Sequence, residues 1–493
     1  MNCFDFDKTI IRGDASIMFY KYCFFRKPRM IFHLIATLFL ALLYKIGLIK
    51  TKQFKERFFS FLKYFKNPDE IIKKFTSREF KKSNLQISDN DVVCSASPEF
   101  LVIPMMKRIN PNARIIATKM NKRTGKIDGE NCKGTEKANR LTAMGCTKFN
   151  NAYSDSLSDL PMMDLAERKY LVYGNKVNEF GKQKPPLFVK LRYMIKMLRV
   201  KHYIKNSLIF LPLFFGSLFF ELNSLLTSIY GFAAFCCMSS AVYIINDLMD
   251  VKQDRSHTKK RTRPIASYMV KPVEALTAAI VLFTGAVLIS LYLCNGPLLA
   301  LTVLLGYFTL NFLYSVNLKR IPIVDVFTLA MCYMARLFYG GIIISVPISN
   351  LLYLTVLCAA LYMGLGKRRN EMRTQKSETR TVNKLYNDSF LDKNMYVFLT
   401  LTMIFYSLWA IQLRNTVVDS VNAILVLFTI PVVFLILMVY SLATEKTDNS
   451  GDPIDVLLCN PVLIVAGVIF IALIVLAVYA DFSKISIFSS LYS

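Results

Sequence analysis

Two short stretches of this chain hold residues able to do chemistry on phosphate. The first is Asp5-Phe6-Asp7-Lys8-Thr9, which follows an apolar stub. Carboxylates two apart on an extended segment project the same way. At a strand end one of them could attack phosphorus while the other handles the proton and a divalent cation is shared. Ser95, after Asp-Val-Val-Cys, offers a hydroxyl at another strand end. Lys137 opens a helical stretch in GTEKANR and can neutralise phosphate and aspartate charge. In SDSLSDLPM, Asp155 and Asp159 stand four apart and supply oxygens of the kind Mg2+ takes. An acidic turn would explain the first motif alone, but it does not explain all four in this order.

The second stretch is NDLMDVKQDRSHTKKRTRP, residues 246–264. Asp247, Asp250 and Asp254 are spaced by three and four, so they share a helical face. Carboxylates gathered at a membrane boundary repel, and a divalent cation relieves that repulsion. Mg2+ prefers one or two carboxylates plus substrate phosphates to an all-protein cage. Asn246 precedes the set, and Lys259, Lys260, Arg261 and Arg263 follow with further phosphate contacts. The stretch is expected to form a Mg2+–diphosphate site. A solvated loop whose charges only set orientation accounts for the basic cluster but not for the aspartate spacing. A third region, from LNFLYSVNLKRIPIVDV onward, adds Tyr314, Lys319, Arg320 and Asp325 at another polar break. Simple charge anchoring also explains Lys319 and Arg320. Arg336 lies in an apolar run, where an unpaired arginine is costly, so it is expected to face a cavity.

The elements that must position these residues fall into two halves. The chain has 493 residues, is 54% hydrophobic and has a mean hydropathy of +0.38. Residues 1–180 mix charged and apolar positions. MNCFDF, DVVCSAS, ARIIATK and KFNNAYSDS read as strands separated by helical stretches, which implies an α/β domain with a mostly parallel sheet. Ligands in such sheets sit at the carboxyl ends of the strands. Residues 181–200 form a basic linker, and 201–493 alternate apolar runs of bilayer-spanning length with short polar breaks. About nine spans are expected, beginning with a short run at 207–222. The apolar segment 30–49 lies inside the first half and is expected to be an interfacial element rather than an ordinary buried helix.

The net charge of +27 would suit a nucleic-acid binder. The aromatics, however, lie mostly inside the apolar runs and not between basic residues, which argues against that partner. Seven Lys or Arg fall in 247–271 and eight in 367–394, against none in the opposite breaks at 294–296 and 348–350. The positive-inside rule then puts the basic loops and the first domain in the cytoplasm, on an inner cell membrane, with the C-terminus outside. The chain opens with MNCFDFDKT and shows no signal peptide. The eleven cysteines form no CxxC pair and point to neither a disulfide framework nor a zinc site.

In the four ordered motifs the first domain resembles the phosphoserine-phosphatase-like branch of the haloacid dehalogenase superfamily, a Rossmann-like α/β fold with a cap, here at about 14–85. The resemblance implies Asp5 as nucleophile and Asp7 as general acid/base, with Ser95 and Lys137 holding the phosphoryl group. It implies Asp5, Asp7, Asp155 and Asp159 around Mg2+. Only four residues precede Asp5, so the first strand is short. The second half, through NDxxDxxxD and its multiple spans, resembles the UbiA prenyltransferase superfamily. MLRVKHYIKN, DRSHTKKRTRPIAS, LYSVNLKRIPIVDV, LGKRRNE and SGDPIDVLL narrow the likeness to the decaprenyl-phosphate phosphoribosyltransferase branch. Val200, His202, Tyr203 and Tyr268 depart from that branch, which bears on affinity or lipid choice.

The likeness implies an all-α membrane domain that transfers phosphoribose from phosphoribosyl diphosphate to a polyprenyl phosphate at the membrane, for a cell-envelope pentose donor. Mg2+ would be held by Asp247, Asp250 and Asp254, with Asp247 and Asp250 at the reaction centre. Lys205, Lys260, Arg263, Lys319 and Arg336 would contact phosphates, beside Asn246 and Tyr314. The first domain would then remove the 5-phosphate. A homo-oligomer is compatible with this reading. Two alternatives remain at this point: an aromatic prenyltransferase using a prenyl diphosphate, and a transporter or scaffold with a regulatory first domain. Asp325 stands alone, without the paired DxxxD typical of aromatic prenyltransferases.

Overall fold

The structure is a computed structural model that describes residues 1–46, 49–258, 260–294, 296–374, 386–415, 420–446, 456 and 460–480. Its contacts divide the chain into two units. The first comprises Met1–Tyr193 together with Thr258–Lys271, and the second comprises Met194–His257 and Pro272–Ser493.

Six strands form the sheet of the first unit: β1 (Cys3–Asp5), β2 (Val92–Pro98), β3 (Arg114–Thr118), β4 (Phe149–Ser154), β5 (Ala166–Tyr173) and β6 (Lys176–Glu179). Their order is β3-β2-β1-β4-β5-β6, parallel except for β6 against β5. The short first strand is therefore central. Alternation along the strands feeds two cores: Phe4 and Val93 enter one, Cys3, Val92 and Cys94 the other. Phe4 stacks on Tyr153, with centroids 4.8 Å apart, and Tyr153 on Tyr170. The helices of this unit are α1 (Ala15–Phe24), α2 (Met30–Ile46), α3 (Thr51–Phe59), α4 (Pro68–Thr76), α5 (Glu99–Lys107), α6 (Thr135–Ala143) and the single turn α7 (Leu160–Met163).

Helices α1 to α4 form the insertion between the first two strands, and α3 is stitched to the sheet domain. Lys52 donates to the Gly129 carbonyl (2.6 Å), and the Ile127 amide donates to Glu56 (3.0 Å). Gly125 has φ +72°, and a Cβ there would lie 2.6 Å from the Phe59 backbone, so only glycine permits the approach. Lys55 donates to the Ala96 carbonyl and to Asn131 Oδ1 (2.9 Å). Among the described residues no carboxylate lies within ion-pairing distance of it. Burial pushes the Lys55 ammonium down to about 8, partly offset by the charges of Asp7 and Asp14.

Segment Thr258–Lys271, read from sequence as a loop of the membrane half, groups with the first unit. Arg261 pairs with Asp164, the Ser267 carbonyl accepts from Gln183 (2.6 Å), and Met269 joins the second core. Lys259 lies outside the described residues.

Helix α8 (Leu187–Met197) leads into the second unit. The run expected as a first span, 207–222, does not form a long α-helix. Val200–Phe210 is a 3-10 helix that continues into α9 (Leu211–Phe215) and stops at Gly216. Pro212 has no amide to donate, and a Cβ on Gly216 would meet the Pro212 carbonyl at 2.7 Å. At about 2.0 Å per residue for 3-10 and about 1.5 Å for α-helix, this stretch rises roughly 30 Å, the thickness of a hydrocarbon core.

The longer helices follow: α10 (Leu222–Met249), the short α11 (Val251–Ser256), α12 (Pro272–Leu288), α13 (Leu298–Val316), α14 (Val324–Ile343), α15 (Asn350–Thr374), α16 (Asp388–Arg414), α17 (Ser420–Lys446) and α18 (Pro461–Tyr479). Among the described residues eight helices are long and apolar enough to cross a membrane, where about nine were expected. The chain is an integral membrane protein. Helix α15 also runs past the apolar run 350–366, through Lys367-Arg368-Arg369.

Two predictions follow from this packing. A Cβ on Gly340 of α14 would lie 2.3 Å from the Ile209 carbonyl, whereas one on Gly467 of α18 meets nothing within 4 Å. Gly340→Ala is expected to cost about 1–3 kcal/mol by overpacking. Thermal unfolding in detergent should show a lowered midpoint for Gly340→Ala and an unchanged one for Gly467→Ala. The second concerns Lys55. Its folded pKa lies below the unfolded value of about 10.4, so between pH 8 and that value the unfolded chain binds more protons and stability rises with pH. Wild-type stability relative to Lys55→Met should climb across that window. A difference independent of pH would contradict a half-buried ammonium held without a carboxylate partner.

Candidate active sites

In the first unit the expected residues converge at the carboxyl ends of the central strands. Asp5 ends β1 and pairs in register with Cys94, which brings Ser95 beside it, and Asp155 directly follows β4. After Asp5 the chain turns sharply. Lys8 takes φ 57°, its amide donates to the Gly13 carbonyl (3.0 Å), and the Ile10 amide donates back to Phe6. That turn holds Asp7 below α1, whose Ala15 amide donates to Asp7 Oδ1 at 2.7 Å. Ser95 Oγ donates to Asp7 Oδ2 (2.9 Å) and itself accepts from the Ser97 amide (2.9 Å). Burial raises the Asp7 carboxyl, as does the nearby Asp14, while the Ala15 amide and the Ser97 and Ser95 hydroxyls pull it back. A carboxyl raised in this way can hold and deliver a proton.

Lys137, in the first turn of α6, donates to Asp5 Oδ1 (2.6 Å) and to Asp159 Oδ2 (2.7 Å). Ser154 also donates to Asp159 Oδ2, at 2.8 Å. Asp159 thus holds Lys137, which in turn holds Asp5. All three are buried. Burial works against the Lys137 charge, but Asp5 and Asp159 outweigh it and raise its pKa well above the ordinary value. Asp5 is raised by burial, which exceeds the lowering by Lys137, with Asp159, Asp155 and Asp7 adding to the rise. Asp155 is pushed up to about 6, first by burial. Buried carboxylate oxygens that press on one another electrostatically are the donors a hard cation takes. Asp5, Asp155 and the Asp7 main-chain carbonyl therefore fit Mg2+. Among the described residues no three His, Cys, Asp or Glu side chains gather to hold a metal.

Sequence reasoning passed over Lys55. It sits on the Ala96 carbonyl, between Ser95 and Ser97, and its signal was a lysine near the end of a long basic stretch without acids.

In the second unit the aspartates lie where α10 ends. Asp247 is in its last turn and buried, Asp250 caps it, and Asp254 is buried on α11. Asp247 Oδ1 accepts from Arg199 (2.5 Å), whose guanidinium also lies 4.9 Å over the Tyr243 ring. Asp250 Oδ1 accepts from Lys319 (2.9 Å), on the 3-10 turn after α13. Ser315 Oγ donates to Asn246 Oδ1 (3.0 Å), and the neighbouring Tyr314 hydroxyl accepts from Arg368 (2.8 Å). The last turn of α13 therefore joins the aspartates to a second network. In it Arg368 contacts Asp325 (2.5 Å) and Glu371 (2.6 Å), and the Tyr386 hydroxyl donates to Asp325 (2.6 Å). Lys205 lies within electrostatic reach of Lys367. Arg199 and Arg368 were the residues missed.

Arg336 is not gathered with the aspartates. It faces the protein interior, where Nε donates to Asn206 (2.8 Å) and Nη2 to the Tyr307 hydroxyl (3.1 Å), with Phe235, Tyr307 and Tyr333 rings around it. Phe235 precedes Asp247 by about 18 Å of helix. Lys260 and Arg263 lie on the segment grouped with the first unit. SGDPIDVLL, apart from buried Val456, lies outside the described residues. The carboxylate oxygens at the end of α10 suit a hard cation in type, and one or two suffice when phosphates complete the shell.

Comparisons with known proteins agree with both resemblances. The haloacid dehalogenase-like hydrolase family model matches residues 3–164, and that of the UbiA prenyltransferase family matches residues 209–374. A decaprenyl-phosphate phosphoribosyltransferase of Corynebacterium glutamicum is 29% identical over 295 residues, 58% of this chain and 86% of that protein. One from Mycobacterium tuberculosis is 28% identical over 297 residues, covering 58% and 94%. Among solved structures, a UbiA homolog from Archaeoglobus fulgidus bound to DMAPP and Mg2+ aligns over 60% of this chain and 99% of that one, at 16% identity and a TM-score of 0.45. The first unit thus matches the haloacid dehalogenase-like hydrolase family over residues 3–164, and the membrane part matches the UbiA prenyltransferase family over residues 209–374.

Proposed function

We propose that the membrane domain transfers 5-phosphoribose from phosphoribosyl diphosphate to a polyprenyl phosphate, and that the hydrolase domain removes the 5-phosphate from the product. The observation that carries the first step is the pairing of Arg199 and Lys319 with the carboxylates at the end of α10, taken with relatives named for that reaction. The acceptor phosphate oxygen attacks ribose C1, the C1–oxygen bond breaks, and diphosphate leaves with the electron pair. The acceptor is already anionic, so no strong base is required. Lys319 and Arg199 hold Asp250 and Asp247 in place, and Lys205 and Lys319 would offer charge to the two substrates' phosphates. Mg2+ held by one or two of the carboxylates Asp247, Asp250 and Asp254, with substrate phosphates completing its shell, would stabilise the diphosphate leaving group.

In the hydrolase domain Asp5 attacks phosphorus and Asp7 protonates the leaving ribose oxygen, then takes a proton from the water that frees Asp5. Lys137 keeps Asp5 aimed and neutralises charge, and Asp159 positions Lys137. Lys55 supplies a cation over the Ser95–Ser97 segment. Mg2+ at Asp5, Asp7 and Asp155 would lower the charge on the transferring phosphoryl group. Both reactions are placed on the cytoplasmic face of an inner membrane, following the Lys and Arg asymmetry of the loops. The lipid product would serve as a pentose donor for an envelope glycan.

Purified protein in detergent, given Mg2+, polyprenyl phosphate and ribose-labelled phosphoribosyl diphosphate, should move label into extractable lipid. Asp250→Asn is expected to reduce that transfer at least about 100-fold, as for loss of a group that stabilises transition-state charge. No labelled lipid, together with consumption of a prenyl diphosphate on an aromatic acceptor, would replace the phosphoribosyl reading with aromatic prenylation.

A further inference from the structure

Helix α2 is amphipathic in reverse. Its polar side chains face the protein: His33 is 7% exposed and Thr37 8%. His33 Nδ1 lies 3.1 Å from both the Tyr20 hydroxyl and Thr37 Oγ1, and Nε2 lies 3.3 Å from Ser60 Oγ and from the Arg57 carbonyl. Its bulky apolar side chains face away, with Phe32, Ile35, Leu38 and Phe39 each at least 60% exposed. Those positions recur at three- and four-residue spacing, so they form one stripe. A helix packed on a domain in water presents the opposite arrangement, and a continuous bulky apolar stripe marks a contact surface.

Two further observations say what covers the stripe. Between Asp14 and Glu56 the sequence has eight Lys or Arg and no Asp or Glu, with Arg26, Lys27 and Arg29 gathered immediately before α2. That charge complements anionic headgroups. Among the described residues the same chain carries eight helices of membrane-spanning length and composition, so this domain is tethered to a bilayer.

We propose that α2 lies in the interfacial layer of the membrane, with Phe32, Ile35, Leu38 and Phe39 among the acyl chains and Arg26, Lys27 and Arg29 at the headgroups. The helix seats the hydrolase domain on the lipid surface as a monotopic element, separate from the spanning helices. If the reading of the hydrolase as a lipid phosphatase is correct, this seating delivers its substrate, but the seating does not depend on which phosphomonoester is cleaved.

Trp409 is the single tryptophan. Full-length Trp409→Phe/Phe39→Trp protein in proteoliposomes containing phosphatidylglycerol reports the position of the stripe through quenching by brominated acyl chains. The expected result is strong quenching by bromines about 5–10 Å below the headgroups, with little quenching by aqueous iodide. Adding Phe32→Glu and Leu38→Glu should reverse that order. Quenching by iodide alone in the parent protein would overturn the proposal. So would a reporter shielded from both quenchers in a manner that follows protein-to-lipid ratio, since a second copy would then cover the face. Should the Trp409 variant not fold, wild-type protein with a phospholipid carrying a photoreactive acyl chain gives the same test. Crosslinks within residues 30–41 support the seating, and their absence beside crosslinked spanning helices refutes it.

Discussion

Carboxylates removed from water must be met by cations, and in this protein the partners come from distant parts of the chain. Lys137 stands between Asp5 and Asp159, tying α6 to the ends of β1 and β4. Arg199 meets Asp247, Lys319 meets Asp250 and Arg368 meets Asp325. For the fully buried pairs, Lys137 with Asp5 and Asp159 and Arg368 with Asp325, removing one partner leaves an uncompensated charge worth about 3–5 kcal/mol. The pairs therefore lock the helix and strand ends against one another as well as shaping the sites. The same constraint singles out the exceptions. Lys55 has only neutral acceptors, and Arg336 is held by an amide, a hydroxyl, a carbonyl and aromatic rings. Lys55 sits beside the Ser95–Ser97 segment of the hydrolase site, whereas Arg336 is held within the protein interior.

Much of this was legible in the residues. Short strand-like runs alternating with helical stretches predicted the parallel sheet, and the ordered motifs brought Asp5, Asp7, Ser95, Lys137, Asp155 and Asp159 to one end of it. Apolar run length predicted the long helices. What stayed hidden was tertiary. Ser95 and Lys137 were expected on the phosphoryl group, yet in the structure they first hold Asp7 and Asp5. Pairing of that kind depends on which loop ends meet, and spacing along the chain does not record it. Arg368 looked like the start of a basic loop because three cations follow an apolar run. The helix continues through them, and Asp325, Glu371 and Tyr314 make the buried position tolerable. The run at 207–222 had the apolar content of a span, but Pro212 and Gly216 deny it a long α-helix.

The two chemistries suit one chain. The proposed phosphoribosyl transfer would leave a phosphomonoester on the ribose, and a hydrolase attacking phosphorus through Asp5, as proposed, would remove it. Both reactions need carboxylates beside cations that bind phosphate, and each domain builds that combination at the ends of its own elements. If the proposed reactions hold, the lipid product would stay in the membrane, and a phosphatase carried by the same chain would meet it there.

The central claim is that the two domains act in sequence on one lipid, and the mass of the lipid product tests it most directly. Wild-type protein supplied with polyprenyl phosphate and phosphoribosyl diphosphate should yield polyprenyl phosphoribose without a 5-phosphate, whereas Asp5→Asn should yield the same lipid with that phosphate retained. If both proteins give the dephosphorylated lipid, or both leave the phosphate in place, the hydrolase domain does not act on the transferase product and the sequential account fails.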